Sequence, residues 1–228
     1  ATLENLLKRE PSLKSKAIVI YNGMITKENY NTIDKKDLGF TNEDILVTLV
    51  GRISRLKGHK WLLNTYIKYL KNSNIKLLFV GSPVEGQEFY LKEIEQILIS
   101  NRLLDRVKIL QFTKQINPIF KVSDIIVTPS TEAESFGLVA LEAMLAKKPV
   151  IGTNLGGLKE IIVNNETGYL VEVNNENEFA KSIIELAENK NKREMFGLKG
   201  YERALKNFPT DNYVMDFESL FISLLNKD

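Results

Sequence analysis

Ile45-Leu46-Val47-Thr48-Leu49-Val50 runs straight into Gly51-Arg52-Ile53-Ser54-Arg55-Leu56-Lys57-Gly58, and then into an apolar stripe at Leu62, Leu63, Tyr66, Ile67 and Leu70. A hydrophobic run without polar alternation suits a strand covered on both faces, the situation of an inner strand in a parallel sheet. The stripe repeats at helical spacing and suits a helix laid against that sheet. Strand, glycine-bearing loop and helix in this order make the first half of a βαβ unit.

The same order recurs along the chain. Further strand-like runs stand at Lys76–Val80, Val107–Leu110, Ile125–Thr128 and Pro149–Gly152, with a weaker one at Tyr169–Glu172 and an early one at Ala17–Ile20. Tyr90, Leu91, Ile94, Ile97 and Leu98 form a second helical stripe, and Phe179, Ala180, Ile183, Ile184 and Ala187 a third. Tyr213, Val214, Phe217, Leu220, Phe221 and Leu224 form the last. The predicted fold is α/β, a Rossmann-like doubly wound parallel sheet of about six strands with helices on both faces. The polar stretch from Gly23 to Asn42 reads as a connector, which sets residues 1–25 apart from a main domain over 26–210 and a terminal helix over 211–228.

Composition narrows the chemistry. The 228 residues carry 31 Lys and Arg against 29 Asp and Glu, one His and no Cys. A net charge of +2 leaves no strong footprint for nucleic acid. The absence of cysteine removes disulfides, thiolate metal sites and cysteine nucleophiles, and suits a reducing compartment such as the cytoplasm. His59 alone cannot form a histidine cluster, and it reads as an N-terminal helix residue rather than a catalyst. Chemistry is left to carboxylates, cations, hydroxyls and backbone amides.

In open α/β sheets ligands bind beyond the carboxyl ends of the strands. After the 45–50 run, Arg52, Arg55 and Lys57 place cations close together beside Gly51, which suits a diphosphate; for these residues taken alone, a solvated basic loop is an equal alternative. After the 125–128 run, Pro129–Gly137 leads into a helix to about Ala146 that is apolar nearly all round except for Glu142. A buried lone carboxylate is costly unless it is paired or holds a ligand. The amides of Phe136, Gly137 and Leu138 at the helix start would bind an anion, with Glu134 at the mouth and Glu142 inside. The plainer alternative has Glu134 capping the helix and Glu142 paired with a core Arg. Gly156-Gly157 permits close backbone approach, or simply a turn. Gly81-Ser82-Pro83 is weaker. No G-x-G-x-x-G, P-loop or Asp-x-Asp pattern is present.

Taken in register, Val50-Gly51-Arg52 with Lys57-Gly58, Pro129-Ser130, the Glu134/Glu142 pair around Phe136-Gly137, Pro149-Val150, Gly156-Gly157 with Glu160, and Thr167-Gly168 resemble the C-terminal donor-binding domain of the group 1 retaining glycosyltransferases, one half of a GT-B fold. The resemblance covers about residues 18–190. It implies that Arg52 and Lys57 hold the donor's diphosphate and stabilise the leaving group, that Glu142 binds the ribose, and that Glu134 contacts the transferred sugar. Gly51, Ser135, Phe136, Gly137 and Leu138 would complete the donor site, and the loop from Lys114 to Asn117, through Ile116, would meet the base. The implied substrate is a nucleoside-diphosphate hexose, a UDP-sugar in preference to a GDP-sugar, with no metal and a glycan or lipid acceptor.

The family usually carries Gly where this chain has Thr113. Ile20-Tyr21-Asn22-Gly23 resembles the end of the family's N-terminal domain, so the expectation is a donor half lacking an acceptor domain of about 150 residues or more. In that setting the terminal helix would cross to the acceptor domain, and the isolated chain would tend to self-associate. The expected location is cytoplasmic, with peripheral contact at the inner face of the membrane as an option for the whole enzyme. Two rival readings use the same motifs: a stand-alone nucleotide-sugar-binding subunit, and, less favoured, a sugar-nucleotide epimerase.

Overall fold

The computed structural model describes residues 2–25 and 32–226. Ala1, the interior of the connector at 26–31 and the last two residues lie outside the described residues. Six strands form one parallel sheet: β1 (Ile45–Val50), β2 (Ile75–Val80), β3 (Val107–Leu110), β4 (Ile125–Thr128), β5 (Val150–Thr153) and β6 (Gly168–Val171). Their order is β3-β2-β1-β4-β5-β6, and every neighbouring pair is parallel. The order reverses between β1 and β4, which pair at Val47–Ile125, Thr48–Ile126 and Leu49–Val127. A doubly wound sheet leaves its crevice at such a reversal, because the connections leave the two strands for opposite faces.

The helices are α1 (Thr2–Arg9), α2 (His59–Tyr69), α3 (Phe89–Ser100), α4 (Asn117–Val122), α5 (Leu138–Leu145), α6 (Leu158–Ile161), α7 (Glu176–Glu188), α8 (Lys190–Asn207) and α9 (Thr210–Leu225). One face of the sheet is covered by α2, α3 and α7, where Leu62, Leu63, Tyr66, Ile94, Leu98, Phe179 and Ile183 pack with Val47, Leu49 and Val127. On the other face, Leu141, Met144, Leu158, Ile161 and Phe120 pack with Ile126 and Val150. Alternate residues of each inner strand therefore enter opposite cores, which is why these strands read as continuous apolar runs.

The strand expected at Ala17–Ile20 is not formed. The stretch is irregular, and Ile18 and Val19 are 59% and 47% exposed. Its composition suits a strand, but a strand also needs a neighbour to receive its backbone hydrogen bonds. Among the described residues no sheet edge takes that role. The segment is tied down further on, where Tyr21 sits edge-on to Phe208 at 5.8 Å and Met24 N–H donates to Phe208 O at 3.1 Å. α8 has no counterpart among the expected stripes, since it is strongly polar and buries Phe196, Gly197, Gly200 and Ala204. It packs on α5. α9 buries none of its residues, and Met215, Ile222 and Leu225 are 61%, 59% and 77% exposed.

His59 opens α2, but deep in the core: its ring is edge-on to Phe79 at 5.2 Å, and neither nitrogen has a partner among the described residues. Burial, with the Lys57 ammonium nearby, pushes its pKa from 6.5 down to about 3. The unfolded chain thus takes up this proton first as the pH falls. Stability contributed by the neutral ring should be lost as the pH drops below about 6.5 and until it nears about 3, at up to about 1.4 kcal/mol per pH unit. Denaturant melts of the chain and of His59→Phe at about pH 7 and about pH 5 test this, because the variant should lose that part of the pH slope.

Candidate active site

The loops leaving β1 and β4 meet over the reversal. Thr131 N–H donates to Leu56 O at 2.9 Å, Thr131 Oγ1 donates to Arg55 O at 3.0 Å, and Arg55 pairs with Glu132. Gly58 adopts φ +74, and a Cβ there would lie 1.9 Å from Pro129 O, so only glycine lets the loops come this close. Behind them, Gly157 N–H donates to Glu134 O at 2.8 Å. Gly156 sits at φ +59, where a Cβ would fall 2.4 Å from Glu134 O. The paired glycines are therefore more than a turn. They let the segment after β5 lie against Glu134–Phe136 and fix it.

Beyond the ends of β1, β2 and β3 lies an open cleft of about 810 Å³, lined by Gly51, Arg52, Phe112, Lys114, Ile116 and Glu142 among others. That volume lies in the range of small-molecule sites, roughly 300–1,000 Å³. Arg52 is exposed and has no ion-pair partner among the described residues. Glu142 is half-buried on α5. No Arg or Lys pairs with it among the described residues, so the expected alternative of a core salt bridge is not found. Its burial raises its carboxyl pKa. One wall is thus cationic, and another presents a carboxylate whose desolvation is uncompensated.

Glu134 does not cap α5. It accepts a hydrogen bond from Ser130 Oγ and forms an ion pair with Lys57 Nζ at 2.9 Å, linking the β1 and β4 loops once more. The N-cap of α5 is Gly137, at φ +104, without a side-chain cap. No protein acceptor is found among the described residues for the Phe136, Gly137 and Leu138 amides, which leaves the helix start open to an anion. The Phe136 side chain is buried and lies 5.7 Å from Phe208, so only its backbone can serve a ligand. Glu134 and Ser135 do not line the main cleft but a smaller hollow with Asn5, Arg9 and Gly156.

Three features lie outside the main sequence-based site. Gly81, Ser82 and Pro83 line the main cleft although they carry no recognised motif. The signal was positional: the loop follows the strand next to β1, and Ile53 N–H donates to Ser82 O at 3.0 Å. Phe112 also lines the cleft. At Thr113 the hydroxyl accepts the Gln115 N–H at 3.1 Å, and the residue is not among those with positive φ, so this loop does not require glycine there.

Residues 31–203 match the family described as glycosyl transferases group 1. The chain belongs to the group 1 glycosyltransferases. Among curated members it is 29% identical to N-acetyl-alpha-D-glucosaminyl L-malate synthase of Bacillus anthracis, over 85% of this chain and 49% of that protein. It is 28% identical to the capsular polysaccharide biosynthesis glycosyltransferase CapM of Staphylococcus aureus, over 86% of this chain and 51% of that one. Among solved structures it resembles the sucrose-phosphate synthase of Thermosynechococcus elongatus at 26% identity and TM-score 0.85, covering 99% of this chain and 57% of that one. HepE of Anabaena, solved with UDP and glucose, matches at 25% identity and TM-score 0.78, over 85% and 56%. The chain thus spans about half the length of the curated glycosyltransferases it matches. No helix among the described residues is long and apolar enough to cross a membrane.

Gly156→Ala should destabilise the fold by about 1–3 kcal/mol, the cost of a left-handed non-glycine residue, plus the clash with Glu134 O. Gly86 is the control: at φ +78, a methyl group added there would meet nothing within 4 Å, so Gly86→Ala reports the backbone cost alone. Equal losses for the two variants in denaturant melts would mean that the Glu134 segment is not held by this contact.

Proposed function

We propose that this chain is the donor-binding half of a retaining hexosyltransferase that uses a nucleoside-diphosphate sugar without a metal ion. The observation that carries the reading is the cleft beside the β1/β4 reversal, where, among the described residues, Arg52 on one side and half-buried Glu142 on another have no ion-pair partner. A nucleoside diphosphate meets both needs. Its ribose hydroxyls donate to Glu142, and its phosphates accept from Arg52, from Lys57 and from the uncapped start of α5.

On this reading Lys57 exchanges its Glu134 partner for phosphate when donor binds. Glu134, released from the pair, turns to the hydroxyls of the sugar. The bond from the anomeric carbon to the phosphate oxygen breaks while the acceptor hydroxyl oxygen bonds to that carbon on the same face and passes its proton to the departing diphosphate oxygen. Charge grows on the departing diphosphate, where Arg52, Lys57 and the helix end stabilise it more than in the ground state. The loop through Thr113, Lys114 and Ile116 stands where the base would lie, and UDP is the favoured nucleotide because HepE, similar to this chain, was solved with it.

The acceptor would be held by a further domain. Two features support it: coverage of about half of each relative, and the uncovered apolar residues of α9, which in this reading cross to that domain. Alone, the chain should associate in a concentration-dependent manner in sedimentation velocity, less so after Ile222→Glu. A monomer at every concentration would count against that role for α9.

Calorimetric titration with UDP, GDP and ADP, with and without a chelator, tests the donor site. UDP should bind most tightly and the chelator should change nothing; no binding of any of the nucleotides by folded protein would refute the assignment. Arg52→Ala and Lys57→Ala should each weaken UDP by about 1.5–3 kcal/mol.

Glu142→Gln should separate stability from function. The folded carboxyl has a raised pKa, so ionised Glu142 opposes folding at neutral pH, and the variant should melt higher while binding UDP less well. A variant that binds UDP as the parent does would remove the ribose role.

A further inference from the structure

Arg52 lines the donor cleft, but Arg55 lines a separate one. This second cleft, of about 500 Å³, opens between the starts of α2 and α3 at the same end of the sheet, beside Thr131 of the β4 loop. Two of its walls are aromatic. Trp61 is half-buried and braced edge-on against Phe179 at 4.9 Å, and Tyr90 lies against Phe89 at 4.1 Å. Such fixed rings offer flat apolar faces at low entropic cost. Asn64, exposed on α2, adds an amide that both donates and accepts.

The cations here are already neutralised. Arg55 pairs with Glu132, and Lys60 pairs with Glu93. An anion would have to break these pairs, whereas a neutral polyol can bond to them as they stand, since paired charged groups keep spare donors and acceptors for vicinal hydroxyls. His59 also lines the cleft. It is 1% exposed and its ring packs on Phe79, so its buried nitrogens do not reach a ligand there. Burial keeps the ring neutral across the physiological range.

We propose that the cleft between α2 and α3 is an accessory site for a neutral oligosaccharide, a stretch of the growing glycan away from its reacting end, held between Trp61 and Tyr90 with Asn64 and the Lys60–Glu93 pair bonding its hydroxyls. The proposal rests on the glycosyltransferase reading above. It adds a second point of attachment, separated from the donor cleft only by the Gly51–Gly58 loop. Such a site raises the effective concentration of glycan at the enzyme without taking part in transfer.

The chain has a single tryptophan, so Trp61 emission reports on this cleft alone. The 228-residue chain would be titrated with maltohexaose, N-acetylchitohexaose and mannohexaose, and separately with inorganic phosphate, while UDP binding is followed by calorimetry. At least one oligosaccharide should change Trp61 emission saturably at millimolar concentrations or below. Tyr90→Ala should weaken that response about tenfold and the exposed Asn64→Ala severalfold, both leaving UDP affinity unchanged. Emission unmoved by every oligosaccharide, in a sample that binds UDP, overturns the proposal. So does a response to phosphate with none to the sugars, or a sugar response that Tyr90→Ala and Asn64→Ala leave intact. A sugar response in a sample that fails to bind UDP supports this cleft and refutes the donor site instead.

Discussion

The site depends on one constraint, the side-by-side pairing of β1 with β4 at the point where the sheet reverses. Connections leave these strands for opposite faces, so the space beyond their ends is not filled by a crossover helix. The chain then narrows that space. Thr131 bonds across to the β1 loop, Gly58 lets it lie against Pro129, and the Lys57–Glu134 pair closes the contact. Without the reversal these loops would be far apart, and Glu142 of α5 would not share a cleft with Arg52.

The cleft is built at a cost to stability. Glu142 is held on an otherwise apolar helix with no ion-pair partner among the described residues, and burial raises its pKa. Glu134 is treated differently, since Lys57 and Ser130 satisfy it. Among the described residues one carboxylate is thus unpaired and the other is paired. The contrast sets a lone carboxylate on α5 against an ion pair between the β1 and β4 loops, and nothing in core packing calls for it.

Much of the fold is legible in the sequence because a strand covered on both faces must be apolar throughout. β1, β2 and β4 show this plainly. The same rule misleads at Ala17–Ile20, where composition suits a strand but no neighbouring edge is offered. It is silent at α8, which approaches α5 and the turn after it through glycines rather than large apolar residues: a Cβ at Gly200 would lie 3.1 Å from Met144 Cγ, and one at Gly197 2.1 Å from Lys147 O. In the site, Arg52, Lys57, Glu134 and Glu142 stand out by charge type and spacing. Gly81–Pro83 and Phe112 do not, because they line the cleft only through the placing of β2 and β3 beside β1.

The sequence by itself determined the alternation of strand and helix, the lone carboxylate on an apolar helix, the cations after β1 and the membership of a family whose motifs it carries in register. These are local properties, set by side-chain type and spacing within a few turns of chain. Tertiary structure alone decided that Glu134 pairs with Lys57 rather than capping α5, that Glu142 has no core partner, that Gly156 and Gly157 hold the 134–136 segment, and that Trp61, Asn64 and Tyr90 share a second cleft. Each is a meeting of segments distant in sequence, and the strand order that brings them together comes from packing both faces of the sheet at once.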